Sequence, residues 1–123
     1  MRLKISSPSL GTLFAETTEE NRMTVEGVID ALPLEGKANL WGDEIYFSAD
    51  IPVEPEHGRE LVQEGEIAVW VEEPSICIFF GKTPISKGSE IRACSPVNVF
   101  AKIEGDLSPL RRVKQGEHIR IEK

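Results

Sequence analysis

A succession of short β-branched and aromatic stretches, each bounded by Gly, Pro or Ser, limits what this chain can fold into more than any other feature. They are "RLKIS" at 2–6, "TLFAET" at 12–17, "EIYFSA" at 44–49, "EIAVWV" at 66–71, "SICIFFG" at 75–81, "VNVFAKI" at 97–103 and "HIRIEK" at 118–123. Runs of this length and composition predict strands. One stretch has helical spacing instead. In "TVEGVIDALP", Val25, Val28, Ile29 and Leu32 recur as a single apolar stripe, and Pro33 stops the helix. Thr24, or Thr17 and Thr18 before it, are the candidates to cap its start. "SPLRRVKQG" offers a second, shorter helical turn, with Ser108 as N-cap, Pro109 at the first helical position and Gly116 as the stop. Gly65, Gly88 and Gly116 each precede polar residues and then an apolar one, which marks strand entries. Many strands with so few helices predict a mostly β chain, a closed β-barrel with one or two capping helices. At 123 residues, 40% of them apolar, the chain suits a single domain over 1–123.

Charge narrows the partners. With 14 Lys and Arg against 21 Asp and Glu, the formal net charge is −7, so phosphate backbones and anionic bilayers repel the chain on balance. Neither nucleic acid nor membrane is an expected partner, and the close pair Arg111-Arg112 is expected on a solvated face. No apolar run approaches the length of a membrane span and "MRLKISSPSLGTLF" lacks a continuous apolar signal core, so a cytoplasmic location is expected. Cys77 and Cys94 are too few and too loosely spaced for a zinc site or a disulfide framework, and both are expected as reduced core residues. Amide side chains are scarce while Glu, Lys and Arg are plentiful, a composition that hints at a thermophilic source.

The stretch "WGDEIYF" at 41–47 poses a question. Read as one strand, it places Trp41, Asp43, Ile45 and Phe47 on one face and Gly42, Glu44 and Tyr46 on the other. The first face is apolar except for a carboxylate that is costly to bury unpaired. Asp43 either caps a turn after Gly42 or joins Glu44 and Tyr46 in a ligand rim at a barrel mouth.

Other chemistry is sparse. His57 lies among Glu54 and Glu56 in a Pro-rich stretch without metal-ligand spacing, and His118 alternates with Arg120 on a terminal strand. Paired Glu72 and Glu73 suit a turn. There is no G-x-S-x-G elbow, P-loop or G-x-G-x-x-G, and no His stands beside Cys77 to activate it. Neither a metal nor a cofactor is expected.

The order of "TVEGVIDALP", "WGDEIYF", "GEIAVWVEEPSICIFFG" and "VNVFAKIEGD" resembles the cyclophilin fold in its small prokaryotic cyclophilin-like branch, over about residues 20–123. The pair Phe79-Phe80, the segment "FFGKTPISKG" and "VFAKIEGD" carry the likeness. The resemblance implies an apolar groove for proline-containing peptides or another small apolar ligand, with Phe80 as the pocket floor and Phe79 turned into the barrel. It also implies Phe47 and Trp70 as pocket walls and Tyr46 with Thr83 as a polar rim. Taken on their residue types alone, Trp70 suits core packing better than a pocket wall, and Tyr46 and Thr83 suit a solvated surface.

The catalytic side of the resemblance departs from the isomerases. Cyclophilins aim a guanidinium at the proline nitrogen to weaken amide resonance. Their Phe-His-Arg strand motif is replaced here by Ile45-Tyr46-Phe47, and no Arg lies between Arg22 and Arg59. Ile78 stands where the family has glutamine, and the expected tryptophan and histidine are absent from "GKTPISKGSEIRACSP". The expectation is therefore weak or no peptidyl-prolyl isomerase activity. The alternative is a small-molecule-binding protein or metabolic enzyme on the same type of barrel.

Overall fold

A computed structural model describes residues 1–123. In chain order the elements are β1 (Arg2–Ser7), β2 (Gly11–Thr17), α1 (Arg22–Ala31), β3 (Leu34–Lys37), β4 (Asn39–Trp41), β5 (Glu44–Ser48), β6 (Arg59–Val62), β7 (Glu66–Trp70), β8 (Ser75–Phe79), β9 (Ile91–Ile103) and β10 (His118–Glu122), with a 3-10 turn at Ser108–Arg112 before the last strand. Every expected strand is present. The short β3, β4 and β6 and the first half of β9 are additional.

One sheet runs in the order β3-β10-β1-β2-β9-β7-β8-β5-β4, and β6 pairs with the first half of β9. The fold is mostly β, as expected, but hydrogen bonds do not close the sheet, because β3 and β4 are its two ends. The ends are nonetheless neighbours. Ala38, between them, donates its N–H to the Glu117 carbonyl and accepts from the Gly116 N–H. Gly36 of β3 lies so close to Phe47 of β5 that a methyl group there would sit 3.1 Å from the ring. The sheet thus wraps a shared interior without a continuous ladder at the seam.

Alternation sorts the side chains into two apolar clusters. The main one lies inside the sheet and draws on Leu3, Ile5, Ile45, Phe47, Ile67, Val69, Ile76, Ile78, Phe80, Ile119 and Ile121 among others. The second lies on the opposite face of β5, β7, β8 and β9, and consists of Val62, Ala68, Cys77, Phe79, Ile91, Ala93, Val97 and Val99, with Tyr46 and Trp70 packed against it. Burial on both faces explains why "EIAVW" and "SICIFF" are continuous apolar runs rather than alternating ones. In β9 the register shifts between the partners of Ile67 and Ala68, which pair with Ala101 and Val99. The extra residue, Phe100, is turned into the main core with no exposure.

Helix α1 lays Val28 into the main core, with Val25, Ala31 and Leu32 partly buried beside it. The expected stripe is present, though Ile29 is only half-buried. The cap differs from expectation. Asn21, not Thr24, occupies the N-cap, and its side chain makes no capping bond. The free N–H groups of Met23 and Thr24 donate instead to the Glu56 carboxylate, at 3.3 and 3.0 Å. A carboxylate at this end also meets the positive pole of the helix. The 54–57 loop is held there by buried amides: Asn98 donates to the Glu54 carbonyl and accepts from the Glu56 N–H, while Asn21 accepts from the His57 N–H. The loop His57 is thus part of this anchoring and sits on the surface.

Candidate functional site

The "WGDEIYF" stretch is a hairpin, not one strand. Gly42 has φ +60°, a left-handed value that glycine adopts without a Cβ penalty, while Asp43 has no positive φ. A two-residue turn with positive φ only at its first position matches the twist of the strands it joins. The turn puts Trp41 opposite Glu44, Leu40 opposite Ile45 and Asn39 opposite Tyr46. Directly opposed residues share a face, so Trp41 stands with Glu44 and Tyr46 rather than with Ile45 and Phe47.

Asp43 belongs to the turn. Its N–H donates to the Lys82 carbonyl at 2.8 Å, its carbonyl accepts from the Phe80 N–H at 2.9 Å, and its carboxylate pairs with Arg111 at 3.2 Å. Gly81 is packed so closely against it that any Cβ would meet the carboxylate. The same Arg111 guanidinium lies 5.3 Å from the Phe80 ring centroid, which covers the little of that ring left at the surface.

Trp41, Glu44, Tyr46, Trp70 and Cys94 line a pocket of about 250 Å³ on the outer face, drawn from β4, β5, β7 and β9. It is the concavity with the most apolar walls. A larger hollow of about 380 Å³ lies between the start of α1 and residues 52–56, but its Glu56 is committed to capping the helix. The chain has two tryptophans, and both line the aromatic pocket.

Glu44 is the unusual group. It is 5% exposed and takes part in none of the ion pairs between a basic group and a carboxylate. Burial pushes its carboxyl up to about 7, partly offset by a hydrogen bond from the Cys77 thiol behind it. Burial and then the neighbouring Glu44 push the Cys77 thiol well above its ordinary value, so Cys77 is a packed thiol and no nucleophile at neutral pH. The Trp70 indole Nε1 is buried without a hydrogen-bond partner.

Of the residues singled out in the sequence, Trp70 and Tyr46 are brought together in this pocket. Phe47 is not: it has no exposed surface and belongs to the main core. Phe80 and Phe79 have the reverse of the expected facing. Phe80 enters the main core and Phe79 the outer cluster, because Ile76, Ile78 and Phe80 share one side of β8 and its extension. Thr83 is buried, and its hydroxyl donates to the Arg92 carbonyl and meets the Ser86 hydroxyl, closing the loop before β9 instead of rimming the pocket. Cys77 is buried as expected, but Cys94 is exposed at the pocket edge rather than in the core. Trp41 and Cys94 were missed. The Gly-Asp dipeptide between two short apolar runs is the hairpin signal that leads to Trp41.

These features define a mostly β protein whose sheet encloses one core and carries an aromatic pocket on its outer face. The family model described as Cyclophilin-like matches residues 1–122, and the chain belongs to that family. It is similar to a solved structure, the solution structure of the hypothetical protein AF2241 from Archaeoglobus fulgidus, at 42% identity and a TM-score of 0.84 over 99% of this chain and 93% of that one. No curated protein matches it. No helix is long and apolar enough to cross a membrane.

Proposed function

We propose that this chain is a ligand-binding member of the cyclophilin-like family, which takes a proline-containing peptide or another small apolar ligand in the pocket between β4, β5, β7 and β9. The observation that carries the reading is the convergence of Trp41, Tyr46 and Trp70 on one concavity. Aromatic-lined grooves suit the flat, preformed shape of proline-rich segments, and apolar pockets with a few polar groups suit small ligands generally.

The reading of weak or absent isomerase activity is supported by where the guanidinium groups are. Arg59 is held by Glu20 and Glu66, Arg92 by Glu90 and Glu60, and Arg111 by Asp43. None lines the pocket. A protease-coupled assay on a Xaa-Pro peptide is expected to show a rate far below that of ordinary isomerases.

Binding is tested by intrinsic fluorescence, since both tryptophans report on the pocket. A capped Ala-Pro peptide is expected to shift the emission saturably, and Trp70→Ala to abolish the saturation. Unchanged emission with peptides and with small apolar probes alike would remove the reading of this pocket as a site for a proline-containing peptide or an apolar ligand. A second reading, a small-molecule enzyme, is favoured by one observation: a carboxyl titrating near 7 in an apolar site is suited to move protons at neutral pH.

A further inference from the structure

The pocket combines two things that a purely apolar site does not need. Its walls are three aromatic rings, Trp41, Tyr46 and Trp70, and its interior holds a buried carboxyl without a cationic partner. Aromatic faces carry negative quadrupole density and attract cations, most strongly when the cation is desolvated. A buried carboxylate gains most from a positive charge brought to it.

We propose that this pocket is an aromatic cage for an organic ammonium group, seated against Trp41, Tyr46 and Trp70 with its charge toward the Glu44 carboxylate. The inference rests on the reading that this pocket is the binding site, and it specifies the chemistry of the occupant. The titratable groups packed around Glu44 are Tyr46 on its own strand, Cys77 from β8 and Cys94 from β9, with Glu72 acting on Cys94 from the turn before β8. None is basic, so no lysine or arginine of the chain already serves as the counter-charge. The net charge of −7 attracts cations to the molecule as a whole. At about 250 Å³ the pocket lies below the range typical of whole drug-sized ligands, which suits a compact head group.

The uncharged alternative is separated by a matched pair of probes, choline and its carbon isostere dimethylbutanol, which share a shape and differ in charge. Each is titrated against tryptophan fluorescence and calorimetry at about pH 8, where Glu44 is ionised, with sodium chloride holding ionic strength constant. Choline is expected to bind the native chain at least about tenfold more tightly than the isostere, and Glu44→Gln to reduce that preference to within about threefold. Glu44→Gln removes a buried charge, so loss of folding does not confuse the result. Equal binding of the two probes, or a preference for choline that survives Glu44→Gln, would overturn the ammonium assignment. Binding of the isostere alone overturns it too while leaving an apolar pocket in place. Failure of both probes, together with silent Ala-Pro peptides, removes the pocket itself.

Discussion

The two faces of β5, β7 and β8 are built from alternate residues of the same strands and have opposite chemistry. Ile45, Phe47, Ile67, Val69, Ile76 and Ile78 turn inward, all of them fully buried and none polar. Glu44, Tyr46, Ala68, Trp70, Cys77 and Phe79 turn outward, where apolar packing is mixed with a carboxyl, a phenol, an indole and a thiol. The inner face is sealed by the curl of the sheet, so every group there is selected for volume. The outer face is covered only in part, by Val62 of β6 and by Ile91 and Ala93 of the first half of β9. Where the cover stops, at Trp41 and Cys94, polar groups remain in a desolvated hollow. Both faces contribute packing, but candidate chemistry lies on the outer one alone.

The largest effects test whether both aromatic neighbours are core. Phe80→Ala opens the main cluster and Phe79→Ala the outer one, and each is expected to cost about 3–5 kcal/mol in denaturant unfolding. The pocket fluorescence titration should be lost more readily with Phe79→Ala, which lies on the pocket's face. A small loss at Phe80 would return that ring to the surface and break the division between the faces.

Glu44→Gln acts in the opposite direction. The folded-state value near 7 lies above the ordinary 4.5, so the folded protein keeps a proton that the unfolded chain has given up. Stability therefore falls as pH rises from about 4.5 to about 7 and then levels, by an amount on the order of 3 kcal/mol. The glutamine variant should be more stable than the native chain above neutrality by up to that amount, with this part of the pH dependence gone. Chemical melts from about pH 5 to about pH 8 measure it. A native profile that matches the variant would show Glu44 to be solvated, and the outer face would lose its distinctive group.

Trp70→Phe should cost only about 1 kcal/mol or less, because the indole N–H it removes has no partner to lose. Ligand affinity should fall by a larger factor than stability would suggest, which places the value of Trp70 in the pocket. Smallest of all is Arg111→Ala. Its guanidinium over Phe80 and its pair with Asp43 are both solvent-screened, so a change of about 0.5–1 kcal/mol that shrinks with added salt is expected. A salt-independent loss would mean that Arg111 seals the main core rather than decorating its edge.

Much of this was legible in the residues. Strands that alternate or run wholly apolar announce themselves, and the 3.6-residue stripe of α1 did so despite its short length. The short β3, β4 and β6 were not legible, since "LEGK", "NLW" and "RELV" are too short and too mixed to show a period. The pairing of β3 and β6 is decided by partners far along the chain, such as His118 for Lys37 and Val97 for Arg59, whereas β4 pairs with the adjacent β5 across the turn at Gly42 and Asp43. The N-terminal support of α1 was hidden for the same reason: Glu56 lies 32 residues beyond Thr24.

By itself the sequence determined that this chain is mostly β with one amphipathic helix, and that no G-x-S-x-G, P-loop or G-x-G-x-x-G motif occurs in it. Those are local properties: period, turn chemistry and residue identity. Which aromatic rings face a ligand was decided only by the tertiary structure. A single left-handed glycine at 42 ends one strand and begins another, moving Trp41 to the side of Glu44 and Tyr46, and the curl of the sheet decides which side of each strand is the interior. Phe79 and Phe80 are indistinguishable in sequence, because alternation states that they oppose each other but not which one is inside. Glu44 is likewise an ordinary glutamate until the sheet is assembled, since the burial that raises its carboxyl exists only once β5 is paired between β4 and β8, with Trp41 and Phe79 opposite Glu44.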